Sequence, residues 1–182
     1  MRDEVLHAAQ VIRRGGLLIY PTEGVYGIGC DPRNQTAVAR LINLKQRDPG
    51  KGFILIAASE AMLSDYIAPL EDAVRAKLSR TWPGPVSWVV PARTGIHDAL
   101  TGGRETLAVR VSAHPFVQAL CTELNHALIS TSANVSGHPP ITEQDTLETV
   151  FGDAVDHIVP MAPGDLAGPT PIYDALTGAQ LR

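Results

Sequence analysis

Aromatic residues make up only 5% of the 182-residue sequence, so a packed interior has to be built from aliphatic side chains. Cys30 and Cys121 are the two cysteines, too few for a disulfide framework or a zinc site. The six histidines stand at 7, 97, 114, 126, 138 and 157, no two of them three to five apart. Helical and finger-type metal spacing is therefore missing, and no dedicated metal cage is expected. No apolar run approaches the ~20 residues of a membrane span. The opening MRDEVLHAAQVIRR carries acids and breaks at Arg13-Arg14, unlike a secretory leader. A cytoplasmic protein without membrane contact is expected. Surplus positive charge is also lacking. The 15 Lys and Arg against 19 Asp and Glu leave a net charge of −4, which excludes attachment to nucleic acid by bulk charge, though not a local basic patch. Lys and Arg are absent from His126 to Leu181.

Hydrophobic residues are 45% and charged residues 19% of the chain, a globular composition. The length fits one domain over residues 1–182, able to bury roughly 70% of the surface of the unfolded chain. With 14 Pro and 16 Gly the chain turns often. Apolar periodicity predicts helices over 3–14, from Asn34 to about residue 45, over 70–80, 116–124 and 142–150. It predicts strands at 17–20, 53–58, 86–90, 106–111, 127–130, 155–159 and 172–176. Alternating helices and strands imply an α/β sheet with helices packed on it. The strands at 86–90 and 106–111 follow each other without a helix, so a mixed sheet is expected.

Four places put polar residues at the ends of apolar strands, where α/β proteins bind ligands. The first is Pro21–Gly29, with tight glycine turns and the Thr22 hydroxyl; it fits a glycine-rich strand connection equally well, and it lacks the P-loop pattern. The second gathers Arg40, Lys45, Arg47 and Lys51 around Asp48, followed by a loop that Pro49, Gly50 and Gly52 make mobile. Such a set suits a triphosphate, or a solvated helix end whose dipole favours cations. The third is Ser130–Gly137, five of whose eight residues carry a hydroxyl or amide; it is either a donor-rich ligand loop or an ordinary Ser/Asn turn. The fourth is Arg110, within the apolar strand Leu107–Val111. It is either on a solvated face or paired, and on a concave face it would meet a carboxylate. His114 is expected to cap or turn before Pro115, His157 to lie on the surface, and Trp82 and Trp88 to pack around Pro83-Gly84-Pro85.

In order and spacing, PTEGVYGIGCDP at 21–32, LKQR at 44–47 with Lys51-Gly52, TWPGPV at 81–86, LAVRVSAHP at 107–115, STSANVSG at 130–137 and IYDALTG at 172–178 resemble the YrdC-type threonylcarbamoyl-AMP synthases in their short, single-domain form. The resemblance covers essentially the whole chain. It implies a twisted open mixed sheet with flanking helices and a concave basic face. It also implies an enzyme that joins L-threonine, bicarbonate or CO2, and ATP into threonylcarbamoyl-adenylate with release of pyrophosphate. The product would pass to threonylcarbamoyl-transferase machinery that modifies tRNA. By resemblance, Lys45 and Arg47 match the phosphate-binding, catalytic pair. Lys51, Thr106, Ser132, Asn134 and Arg182 fall at ATP-contacting positions. Thr22, Gly24, Arg110, Ser130 and Thr170 fall in the threonine pocket, with Arg110 on the carboxylate. Mg2+ is expected with the triphosphate. Many relatives have Thr at Gly24 and His at Ile56, so the threonine side chain would be held differently here. With the sequence running to Arg182, the further domain of long-form relatives is not expected. The competing reading is a factor that binds double-stranded RNA or assembles ribosomes without catalysis.

Overall fold

The first helix, α1 (Arg2–Arg13), follows from its pattern: Val5, Ala8, Ala9 and Ile12 form one buried stripe, acids open it, and Arg13 closes it. In α2 (Gln35–Lys45) the Asn34 side chain accepts a hydrogen bond from Ala37 N at 3.1 Å. Helices α3 (Asp72–Leu78), α4 (Asp98–Thr101), α5 (Pro115–Leu124) and α6 (Gln144–Phe151) complete the set. His114 caps α5 and Pro115 occupies its first turn, as the sequence predicts. The strands are β1 (Leu18–Pro21), β2 (Tyr26–Gly29), β3 (Ile54–Ala57), β4 (Ser87–Pro91), β5 (Thr106–Val111), β6 (Leu128–Ser132), β7 (His157–Ile158) and β8 (Ile172–Asp174). The computed structural model describes residues 1–135 and 137–182; Ser136, within the hydroxyl-rich run, lies outside them.

The described strands form one eight-stranded sheet in the order β7-β1-β2-β6-β3-β5-β4-β8. It is mixed, as expected. The pairs β1–β7, β3–β5 and β4–β8 run parallel, and the other neighbours run antiparallel. Strand β2 is a departure, because the sequence suggests a loop there. Its glycines hide the alternation, and they are needed: a Cβ on Gly29 would collide with the Ile129 carbonyl. The expected 70–80 helix shortens to α3, and His157 is a half-buried strand residue whose Nε2 lies 2.5 Å from Glu4 Oε1, not a surface one.

The two faces of the sheet are treated differently. One carries Ile19, Ile28, Leu55, Val109 and Ile129, packed under α2, α3 and α6 through Leu41, Leu78 and Phe151. On the other, α1 and α5 cover Leu18, Tyr20, Ile56 and Leu128. Register continues that second face past the helices, since Ile54 pairs with Ser130 and Ala108, and Ile56 pairs with Arg110. The same face therefore starts as dry aliphatic core under α1 and α5 and ends in polar side chains outside that core. Each buried aliphatic side chain contributes about 1.5–3 kcal/mol, and this packing holds the polar end in place.

Candidate functional site

The polar end of this face lines a cavity of about 430 Å3. Its closed end is built on Arg110, only 4% exposed in mid-β5. Arg110 Nη1 donates to Thr170 Oγ1 at 2.5 Å, and Nη2 lies 3.3 Å from Glu23 Oε2. Burial pulls the guanidinium's pKa down and the Glu23 charge opposes that pull. Arg110 is thus paired, not solvated. Thr170 ends a strap that crosses the turn between β1 and β2: Gly164 N donates to Thr22 O at 2.8 Å and Leu166 N to Glu23 O at 3.0 Å. Gly24 makes this crossing possible, because a Cβ there would strike the carbonyls of Gly168 and Leu166.

The open end collects cations. Arg47, Lys51, Arg104 and Arg182 all line the cavity. Arg47 is aimed there by the end of α2, where Gln46 takes a left-handed conformation (φ 45°) and Arg47 N donates to Ile42 O at 3.1 Å. Its Nε donates to Gly52 O at 2.9 Å and its guanidinium lies 5.0 Å from the Phe53 ring centre. Burial and the neighbouring Arg182 charge lower its pKa. The loop at 49–52 is docked. Arg104 donates to Gly50 O at 2.7 Å and to Lys51 O at 3.0 Å, and Phe53 N donates to Leu100 O at 2.9 Å. Gly52 (φ +58°) leaves no room for a side chain against Leu100 O. Arg182 Nη2 donates to Thr170 O at 2.9 Å, so Thr170 touches both ends. Between them Ser130, Thr131 and Ser132 of β6 and Thr101 and Thr106 form a hydroxyl-bearing wall.

Of the residues singled out from sequence, Thr22, Arg47, Lys51, Thr106, Arg110, Ser130, Ser132, Thr170 and Arg182 line this one cavity. Lys45, Asn134 and Gly24 are not in its wall. Lys45 is 2% exposed, and its ammonium donates to Ser132 O at 2.6 Å, Asn134 O at 2.5 Å and Asn134 Oδ1 at 2.7 Å. It braces the hydroxyl-rich turn from behind, and burial lowers its pKa to about 8. Asn134 takes that ammonium and Ser132 Oγ on its Oδ1 and donates through Nδ2 to His138 O. Ile56 lies wholly inside the apolar cluster beneath α1 and α5, so it does not shape the cavity. Arg40 leaves the expected cation set and pairs with Asp156 at 3.1 Å. Glu23 and Arg104 were not foreseen. The signal for Glu23 was there, since a mid-strand arginine needs a buried acid and Glu23 sits between apolar strands. For Arg104, in the turn Gly102-Gly103-Arg104, no local pattern marks its docking on a loop 53 residues away.

The family model Sua5/YciO/YrdC, described as "Telomere recombination", matches residues 10–181. The chain is 49% identical to a threonylcarbamoyl-AMP synthase of Nitrosococcus oceani over 96% of its length and 95% of that protein's. It is likewise 49% identical to the synthase of Halorhodospira halophila over 98% of its length and 93% of that protein's. Among solved structures, P. abyssi Sua5 complexed with L-threonine superposes with a TM-score of 0.87 at 29% identity, over 93% of this chain and 50% of that one. The chain therefore spans nearly all of its curated relatives and about half of Sua5.

Proposed function

The chain belongs to the Sua5/YciO/YrdC family, and we propose that it forms L-threonylcarbamoyl-adenylate from L-threonine, bicarbonate or CO2, and ATP, releasing pyrophosphate. The observation that carries this reading is the cavity with a paired arginine at its closed end and four cations at its mouth. A threonine carboxylate fits Arg110, with Ser130, Thr22 and Thr170 beside it. A triphosphate fits Arg47, Lys51, Arg104 and Arg182, with Ser132 and Thr106 on the wall. Lys45 and Asn134 act from behind, by fixing the turn that presents Ser132. This division gives content to the expected concave basic face, with residues 1–182 acting as one domain.

The chemistry suits such a site. The threonine amine adds to CO2, an N–C bond forms, and the amine loses a proton to water, which gives a carbamate. A carbamate oxygen attacks the α-phosphorus in line, a new P–O bond forms, and the bond to pyrophosphate breaks. The nucleophile is already an anion, so positioning and charge neutralisation matter more than a protein base. A cation–phosphate pair at 4 Å is worth about 1 kcal/mol in water and about 4 kcal/mol at an effective dielectric of 20. The half-buried Arg47 therefore counts for more than an exposed lysine. Mg2+ would enter with the triphosphate, since it is bound largely through phosphate and water; Asp174 is a carboxylate in the wall. The adenylate would go to transferase machinery for the N6-threonylcarbamoyl modification of tRNA, in the cytoplasm. Among the described residues no helix is long and apolar enough to cross a membrane. RNA binding without catalysis is not favoured, because a cavity of this size takes a nucleotide and not a duplex.

The test is pyrophosphate release from ATP, Mg2+ and bicarbonate with and without L-threonine. Threonine-dependent release is the expected result. Its absence in folded protein overturns the assignment, and salt-sensitive RNA binding without turnover would replace it with the RNA reading.

A further inference from the structure

One guanidinium, that of Arg110, has two partners of opposite kind. Nη1 meets Thr170 Oγ1, a neutral hydroxyl at the end of a strap in the cavity wall. Nη2 meets Glu23 Oε2, an anion with a side chain only 10% exposed. A neutral acceptor is readily exchanged for a substrate carboxylate, because the carboxylate adds charge–charge attraction to the hydrogen bond. A buried carboxylate that other groups hold cannot leave in the same way. Glu23 is held in this manner. Its Oε1 accepts from Ser112 Oγ at 2.8 Å and from Ala113 N at 3.1 Å, and its own carbonyl accepts from Leu166 N at 3.0 Å. Ser112 Oγ in turn accepts from His114 N at 3.1 Å, at the start of α5. Glu23 thus ties the end of β5 and the start of α5 through its carboxylate, and the strap through its backbone carbonyl, to the β1–β2 turn below Arg110. The pair also has slack. Glu23 Oε2 and Arg110 Nε are both buried without a hydrogen-bond partner, although their residues face each other across 3.3 Å. Buried polar atoms left open in this way mark a place that a ligand or water completes.

We propose that Glu23 is a positioning residue for the reaction: it anchors Arg110 from beneath, so that the Thr170 side of the guanidinium is the side offered to the carboxylate of the amino-acid substrate. Thr170 is then a placeholder that the substrate displaces, and Glu23 the fixed post. The inference rests on the function proposed above. It assigns Glu23 no contact with substrate, since the residue stands behind the cavity wall.

Glu23→Gln tests this, because it keeps an oxygen for Ser112 and Ala113 while turning an amide towards Arg110. The expected result is a KM for L-threonine raised about tenfold or more, with the KM for ATP within about twofold of the wild type. Ser112→Ala, which leaves the carboxylate in place but removes one of the two hydrogen bonds to its Oε1, should show the same threonine-only pattern at about threefold. A purely structural role would instead lower the folded fraction and leave both KM values alone, or raise them together; either outcome overturns the proposal. If Glu23→Gln fails to fold, Ser112→Ala decides by the same criterion. L-Threonine binding by calorimetry, run beside the assay, separates the two claims. Wild type that binds threonine more tightly than Glu23→Gln but releases no pyrophosphate removes the proposed reaction and leaves the positioning role. Wild type that neither binds nor turns over removes both.

Discussion

The two ends of the cavity hold their cations by different rules. At the closed end Arg110 is almost wholly buried and has a carboxylate of its own. At the mouth Arg47, Lys51, Arg104 and Arg182 stand together with backbone carbonyls as the partners of three of them. The reason is solvation. A buried guanidinium without a counter-charge costs several kcal/mol, so the fold supplies Glu23. Cations at a mouth keep water and can wait for an anion, and repulsion among them disappears when a polyanion arrives. The closed end therefore has its charge balanced within the fold. The open end gathers four cations with no carboxylate partner of the Glu23 kind among the contacts described above, which is the arrangement the proposed phosphate site requires.

The sharpest break in this contrast is Arg110→Ala. It leaves the buried Glu23 carboxylate without its cation, and breaking such a pair costs about 3–5 kcal/mol, or roughly 6–20 °C in melting temperature for a chain of this size. Threonine should suffer more than ATP, with a KM increase of about a hundredfold from the lost charge pair. Melting curves and substrate titrations check both halves. A variant with wild-type stability whose ATP KM rises more than its threonine KM would assign Arg110 to the nucleotide and dissolve the contrast.

Arg47→Ala should behave in the opposite way. A charged hydrogen bond to phosphate is worth about 1.5–3 kcal/mol, so kcat/KM for ATP should fall about tenfold to a hundredfold. Stability should drop by only about 1 kcal/mol, because what is lost in the free protein is one bond to Gly52 O and the contact with Phe53. Unfolding of the variant, or an unchanged ATP requirement, would show that Arg47 is structural and that the mouth is not a phosphate site.

Much of this arrangement was legible before any coordinates, and the exceptions share a physical cause. Helices α1, α2 and α5 carry regular apolar spacing and recognisable ends, so local rules find them. The gathering of Arg47, Lys51, Arg110, Ser130, Ser132 and Thr170 also follows from the family resemblance, which holds across the whole chain. What stayed hidden depends on contacts between distant segments. Lys45 and Arg47 are two residues apart and look equivalent, yet a left-handed Gln46 sends one behind the wall and the other into the cavity; a non-glycine residue gives no warning of that turn. Strand β2 is masked by the glycines that let β6 come close. Ile56 stands at a position expected to shape a pocket, but α1 and α5 extend over it and make it core. Glu23 needed Arg110 for its meaning, and the two are far apart in sequence.

The smallest expected effect concerns the response of the closed end to acid. The His114 ring caps α5 by accepting from Phe116 N at 3.3 Å through Nδ1, which requires that nitrogen to be unprotonated. Burial lowers its pKa below the ordinary 6.5, with Glu23 opposing and Arg110 adding to the shift. The sign follows from linkage: as pH falls below 6.5 the unfolded chain takes up the proton first, so the fold loses stability on the acid side and keeps it above. The loss should amount to about 1 kcal/mol, the worth of a cap, or roughly 2–4 °C. His114→Asn keeps a capping side chain that does not titrate, so its melting temperature should decline less between pH 7 and pH 5 than that of the wild type. Threonine affinity should weaken over that range together with the α5 start, to which Glu23 is tied through Ser112 and Ala113. Parallel melting profiles for the two proteins would mean that His114 does not carry the acid sensitivity of the closed end.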